Sequence, residues 1–506
     1  MTELSPPASL GRRGEQLLER FGDRESLWFE GTWHRSGELA VRAARAAAGF
    51  VALGVCPADR VVIVMANCPE VGLAYTALWR AGAVPTPVLF LLTENEIRHV
   101  VKDSGAVAVV TTPEFLPKVL AASAGLPVVV VGGGSVGTTS WAELESGAQL
   151  PLVDRDTTDL AALLYTGGTT GRSKGVALSH ASLDAAGKAA ADASYSPGRV
   201  RSLLPLPLAH AYGLLVTVGG LHAQEPGSAV LMRWFDPAGF VALVEQHRVQ
   251  VSALVPSMLQ LLLAQPLEDH DLSCLERVSS GAAPLSADVL AEFERRIPGV
   301  EVREGYGCTE TSALISTQPE QRRLGSVGKP VPGVEVRIEA ADGADVRVGD
   351  DGEICVRGPV LMRGYWNSAD ETAFALREGW LHTGDVGRFD ADGYLYVVDR
   401  IKDLIIRNGF NVYPRDVEDV LLAHPEVVGA AVVGRPDPTL GEEVVAFVQL
   451  APGAAVTPAE LVGYSREHLG AYKYPREVRV VEAIPLTSVM KTDRKALRAT
   501  LRETAS

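Results

Sequence analysis

Residues 163–180 read LLYTGGTTGRSKGVALSH, an apolar run that enters a loop carrying Gly167, Gly168, Gly171 and Gly175 among Thr166, Thr169, Thr170 and Ser173, with Lys174 near its end. Glycines let successive N–H groups turn inward without a Cβ in the way, hydroxyls add neutral donors, and a lysine supplies a point charge; the stretch is suited to wrap a polyphosphate. A plain surface turn would need neither the hydroxyls nor the lysine. A Walker loop places glycine directly before its lysine, whereas Ser173 stands there and Gly175 follows Lys174. Attack at a γ-phosphate, the usual chemistry of Walker proteins, is therefore a poor fit.

Around this loop, from about residue 59 to 305, short apolar runs (60–66 RVVIVMA, 107–111 VAVVT, 127–131 PVVVV, 249–255 VQVSALV, 277–280 RVSS) alternate with helical patterns such as 70–82 EVGLAYTALWRAG. That alternation predicts βα units around mainly parallel strands buried on both faces, hence an α/β class. The strand patterns 335–340 EVRIEA and 352–358 GEICVRG follow without helices between them and predict a small antiparallel or barrel-like subdomain. A charged, glycine-containing stretch after residue 400 marks a boundary, so the expected domains are 1–399 and 400–506. In the tail the patterns predict helices over 414–422 and 458–469 and strands over 427–433 and 444–449.

The chain has 506 residues, 47% of them apolar and 22% charged, which is ordinary globular usage. A net charge of −15 argues against nucleic-acid or anionic-membrane partners, which need a continuous basic face. The five cysteines show no CxxC spacing, so neither a zinc site nor a disulfide framework is expected, and a reducing cytoplasm fits. The N-terminus lacks the apolar run of a signal peptide, and the uncharged stretch 203–223 is too interrupted by Pro205, Pro207, Gly213 and its histidines for a membrane span; buried core is expected there.

Six ordered motifs carry a resemblance: the loop, 206–213 LPLAHAYG, 304–312 EGYGCTETS, 380–387 WLHTGDVG, 398–414 VDRIKDLIIRNGFNVYP and 485–494 PLTSVMKTDR. Together with 67–88 NCPEVGLAYTALWRAGAVPTPV they make nearly the whole chain resemble the adenylate-forming superfamily of acyl-CoA synthetases, carrier-protein adenylation domains and firefly luciferases, closest to the acyl-CoA ligases. The resemblance implies a large N-terminal domain of mixed sheets packed with helices, the small subdomain, and a mobile α+β C-terminal lid.

It also implies a site. Thr166, Gly167, Gly168, Thr169, Thr170, Gly171 and Lys174 would cradle phosphate, and Glu310 would ligate Mg²⁺, a hard cation that prefers carboxylate and phosphate oxygens. Thr309 would hydrogen-bond the α-phosphate, Tyr306 would lie along the adenine, and Gly281, Ala282, Ala283, Glu304, Gly305 and Gly307 would complete the nucleotide site. Asp385 would accept from both ribose hydroxyls, with Arg400 reaching from the other side. Lys491 would be the mobile lysine that meets the charge developing at the α-phosphate; Met490 precedes it where the family has glycine. Lys402 would be the hinge, Gly409 would line the tunnel for a thiol arm, and Lys473 would touch a CoA phosphate.

His210, Gly213 and Gly305 would wall the acyl pocket. An amino-acid-adenylating domain would be expected to carry an aspartate where this chain has Ala211, so an apolar fatty or aryl acid is expected. ATP, Mg²⁺ and CoA are the implied cofactors, and the partners are small molecules, the protein acting as a monomer or homodimer. Transfer to a carrier protein's phosphopantetheine arm is the main alternative acceptor and oxidation of a luciferin-like adenylate a distant one; a non-catalytic nucleotide-binding protein is the alternative of a different class.

Overall fold

A computed structural model describes residues 8–166, 173–408, 410–487 and 492–503. One sheet is wholly parallel, in the spatial order Val84–Val88, Arg60–Val64, Ala108–Thr111, Val128–Val130, Thr139–Ser140. Its central strands are valine-rich and buried along their length, because helices cover both faces. Helix Pro69–Arg80 lies against this core; proline at its first position costs no hydrogen bond, and eight of its side chains are buried.

The second sheet has nine strands, and six of them are parallel neighbours: Glu301–Tyr306, Arg277–Ser280, Val251–Leu254, Arg201–Leu204, Ser228–Leu231 and Glu25–Phe29. The stretch 203–223 alternates buried and half-buried residues within this region, with Gly220 exposed, and comprises the end of strand Arg201–Leu204 and helix Ala211–Gly220.

The phosphate-loop segment departs from the βα pattern around it. Strand Leu160–Thr166 returns antiparallel as Lys174–Ser179, and the short strand Gly364–Tyr365 pairs with the returning arm. The loop therefore joins two strands of a hairpin rather than a strand and a helix. A further antiparallel sheet holds Glu335–Glu339, Gly352–Arg357, Trp380–Phe389, Leu376–Arg377 and Leu395–Arg400, the small subdomain that the helix-free strand patterns predict.

Hydrophobic clusters of buried residues separate along the chain: four are drawn from Leu10 to Leu395, and two from Ile405 to Leu501. The second unit packs helices Pro414–Leu422, Pro458–His468 and Arg494–Glu503 on a five-stranded sheet whose long hairpin is Val427–Asp437 and Gly441–Leu450. The hairpin runs past the expected strand ends at 433 and 449, because the register continues through Arg435, Pro436 and Asp437 opposite Glu443, Glu442 and Gly441. Thr457 and Glu460 form a capping box at the second of those helices. Arg415 ties this unit to the preceding strand, its N–H donating to Asp399 Oδ2 at 3.1 Å and its guanidinium to the Val397 carbonyl at 3.0 Å. Among the described residues no helix is long and apolar enough to cross a membrane.

Candidate active site

Strand Glu301–Tyr306 leaves the large sheet at its carboxyl end and runs into the tight turn Thr309–Thr311, the position where parallel α/β sheets present ligand sites. Gly307 makes that turn possible: a Cβ there would lie 2.4 Å from the Ala313 backbone. The turn brings Glu310 to Tyr365, whose hydroxyl donates to Glu310 Oε1 at 2.9 Å. Tyr365 sits beside the returning arm of the phosphate-loop hairpin, and Lys174 from that arm lies 5.2 Å over its ring while pairing with Glu371 at 2.8 Å. Thr166 and Lys174 face each other as the last paired residues before the loop. Lys174 and Glu310, distant in sequence, thus share Tyr365 as a common neighbour.

A second link joins Tyr306 to the small subdomain. Its hydroxyl donates to Asp385 Oδ2 at 2.6 Å, and the other carboxylate oxygen of Asp385 meets Arg400 Nε at 3.1 Å. Asp385 and Arg400 are cross-strand partners, so the pairing of Trp380–Phe389 with Leu395–Arg400 sets their contact. Burial, reinforced by the Asp385 charge, pushes the Tyr306 phenol far above its ordinary range, so it stays a donor.

A cavity of about 520 Å³ opens beside these groups, lined among others by His210, Gly281, Ala282, Gly305, Gly307 and Thr309. His210 caps helix Ala211–Gly220, its Nδ1 accepting from the Tyr212 N–H at 3.2 Å. Ala282 holds a left-handed φ of 70° in the turn after Arg277–Ser280. Four arginines also line the cavity: Arg24, Arg199, Arg277 and Arg303.

Several of the expected residues lie off this lining, some of them by their expected roles. Gly213 is turned away from the cavity, its Cα packed so closely that a Cβ would come within 2.2 Å of the Pro207 carbonyl oxygen; it serves helix packing, not the pocket wall. Ala283 is half-buried beyond the lining. Glu304 is buried off the cavity, where burial raises its carboxyl to about 7 against the opposing pull of Arg415. Lys473 is held by Asp416 at 2.5 Å. Lys402 occupies the exposed turn just after Arg400. Gly167, Gly168, Thr169, Thr170, Gly171, Gly409 and Lys491 fall outside the described residues.

Sequence reasoning missed Tyr365, Glu371 and the arginines of the cavity. Tyr365 and Glu371 sit in no recognisable motif, and Tyr365 meets Glu310 only through pairing of segments 55 positions apart. The arginines had a signal in principle, since Arg277 and Arg303 are charged residues at buried positions of sheet strands.

The AMP-binding enzyme family matches residues 15–366, and the AMP-binding enzyme C-terminal domain matches residues 416–491. The chain belongs to the AMP-binding enzyme family. It is an adenylate-forming enzyme and an AMP-forming acid–thiol ligase, on the acyl-CoA ligase side of that superfamily. It is 37% identical to 4-coumarate–CoA ligase 5 of Oryza sativa subsp. japonica, over 96% of this chain and 94% of that one. It is 34% identical to a medium/long-chain-fatty-acid–CoA ligase of Mycobacterium tuberculosis, over 98% and 90%. Among solved structures, ATP-bound MatB from Rhodopseudomonas palustris superposes with a TM-score of 0.90 at 32% identity, covering 98% of this chain and all of that one (100%).

Proposed function

We propose that this AMP-binding enzyme condenses a fatty or aryl carboxylic acid with ATP to give an acyl-adenylate and pyrophosphate, then passes the acyl group to CoA with release of AMP. The observation that carries this reading is the convergence of two links, Lys174–Tyr365–Glu310 and Tyr306–Asp385–Arg400, beside one cavity with an apolar stretch at Leu215, Val216 and Ala253. The first suits a polyphosphate with its counter-cation and the second a ribose.

In the first half-reaction the acid's own carboxylate is the nucleophile. Its oxygen forms the new bond to the α-phosphorus while the bond from that phosphorus to the bridging oxygen breaks, and pyrophosphate leaves with the electron pair. No general base is required. Thr309 donates to the α-phosphate, and Asp385, already oriented by Tyr306 and Arg400, uses its remaining lone pairs for the ribose hydroxyls. Lys174 exchanges its partly exposed Glu371 for phosphate, a small cost for a surface pair. Glu310, a single carboxylate aimed by Tyr365, matches the sparse protein ligation of Mg²⁺, which relies on phosphate oxygens for much of its shell. That cation, when bound, neutralises charge gathering on the departing pyrophosphate. Lys491 stabilises the pentacoordinate phosphorus.

In the second half-reaction the C-terminal unit turns about Lys402, Gly409 lines the path of the thiol arm, and Lys473 contributes to the CoA site; the thiolate attacks the acyl carbon and AMP leaves. The setting is the cytoplasm. A panel of carboxylic acids with ATP and Mg²⁺, scored for pyrophosphate release with CoA present and absent, tests the proposal. Acid-dependent release that turns over with CoA is expected. Release indifferent to the acid would remove the reading, and turnover with a phosphopantetheinylated carrier protein alone would move the acceptor.

A further inference from the structure

We propose that the far end of the acyl cavity is built for an anionic oxygen, so that the acid activated here carries a second carboxylate remote from the one that reacts. The inference rests on the acid-activating reading above and narrows its substrate class.

The cavity lining is unevenly charged. Arg24, Arg199, Arg277 and Arg303 face it, against the single carboxylate Glu225. Glu225 is already committed, accepting from the Tyr195 hydroxyl at 2.9 Å and the Gly198 N–H at 3.0 Å. Two more carboxylates stand behind the lining: Glu276 accepts from Arg199 Nε at 2.9 Å, and Glu301 from Arg303 Nε at 2.9 Å. Among the described residues Arg199 and Arg303 each have a carboxylate partner, Arg277 has only the more distant Glu301, and Arg24 has no ion pair, so positive charge is in excess along the lining.

Arg277 is the deeply buried arginine without a close carboxylate. It is 8% exposed, donates to the Ser194 carbonyl at 3.2 Å, and lies 3.7 Å from Glu301, too far for a good hydrogen bond. Its Nε is buried with no hydrogen-bond partner among the described residues, and the same holds for Arg199 Nη1. Leaving a buried donor unmade is costly, and more so when the donor is charged. Burial, then repulsion from Arg303 and Arg199, draws the Arg277 guanidinium down to about 10. A carboxylate in the cavity is the ligand that would cancel the excess charge, and it can accept from guanidinium N–H groups that face the lining. A neutral hydroxyl would satisfy one donor and leave the charge.

The spacing agrees. Strands Arg277–Ser280 and Glu301–Tyr306 are parallel neighbours, with the nucleotide-side glycines Gly281 and Gly305 at their carboxyl ends. At about 3.3 Å per residue, Arg303 lies roughly 7 Å behind Gly305 and Arg277 roughly 13 Å behind Gly281. A medium-length diacid spans that depth, and Leu215, Val216 and Ala253 on the same lining suit its methylene stem.

The test compares octanedioic, 8-hydroxyoctanoic and octanoic acids by acid-dependent pyrophosphate release, in the wild type, Arg277→Met and Arg277→Lys. One charge-assisted pairing at a buried site predicts that wild-type kcat/KM favours the diacid over octanoic acid by about ten- to a hundredfold. Arg277→Met should collapse that ratio and Arg277→Lys should keep part of it, with ATP binding by each variant confirming an intact fold. A wild-type preference for octanoic or 8-hydroxyoctanoic acid, or a ratio unmoved by Arg277→Met, overturns this inference while acid activation stands. If none of the three acids nor any acid of the wider panel supports release, the acid-activating reading fails and this inference with it.

Discussion

At the scale of single residues, the site is held by hydrogen bonds that each do one job. The Tyr365 hydroxyl aims Glu310, and deleting it should weaken the metal–nucleotide site without touching the acid pocket. A hydrogen bond to a charged group contributes about 1.5–3 kcal/mol, so Tyr365→Phe should raise the KM for MgATP by about ten- to a hundredfold in acid-dependent pyrophosphate exchange, the KM for acid staying put. Equal shifts in both constants would place Tyr365 elsewhere in the chemistry. Lys491 bears on the chemical step itself. One charge about 4 Å away at an effective dielectric of 20 gives about 4 kcal/mol, so Lys491→Ala should slow exchange by about a thousandfold and leave thioester formation from supplied acyl-AMP largely intact. Loss of both activities together would end its assignment.

At the scale of elements, the strand Leu395–Arg400 belongs to the small subdomain by its pairing, and its last residue contacts Asp385. The chain then turns through 401–403 before the strand Ile405–Arg407 opens the C-terminal unit. Any reorientation of that unit must be absorbed here, since the elements on either side are hydrogen-bonded into different sheets. Lys402→Pro fixes φ near −65° at this turn and should therefore impair one half-reaction more than the other, read as pyrophosphate exchange against thioester formation from acyl-AMP. Both half-reactions running at the wild-type rate would move the hinge. The phosphate-loop hairpin shows how little of an element's pairing its own sequence declares: 160–166 reads as an apolar strand in either orientation, and only the partner Lys174–Ser179 makes it antiparallel.

At the scale of the whole molecule, the buried carboxyl of Glu304 faces the C-terminal unit through Arg415 and couples stability to pH. Burial raises its folded pKa to about 7 from the ordinary 4.5, so the folded protein holds a proton that the unfolded chain releases. Its contribution is fully present below pH 4.5 and is lost as pH rises through about 7. Glu304→Gln should thus gain stability over the wild type as pH is raised from 5 to 8, by up to about 3 kcal/mol, measured by denaturant unfolding at both values. A gain that shrinks with rising pH would contradict the burial argument. The sequence by itself determined the α/β class, the strands 335–340 and 352–358 of the small subdomain, the tail helix 414–422 and the start of the next at 458, and the nucleotide motifs, because periodicity, glycine and capping chemistry act over a few neighbouring residues; the helices Ala369–Ala375 and Arg494–Glu503 were not legible in it. Tertiary structure alone decided that Tyr365 meets Glu310, that Gly213 packs away from the cavity, and that four arginines gather on its lining. Those facts depend on strand register and side-chain direction between segments far apart in the chain, which no local pattern encodes.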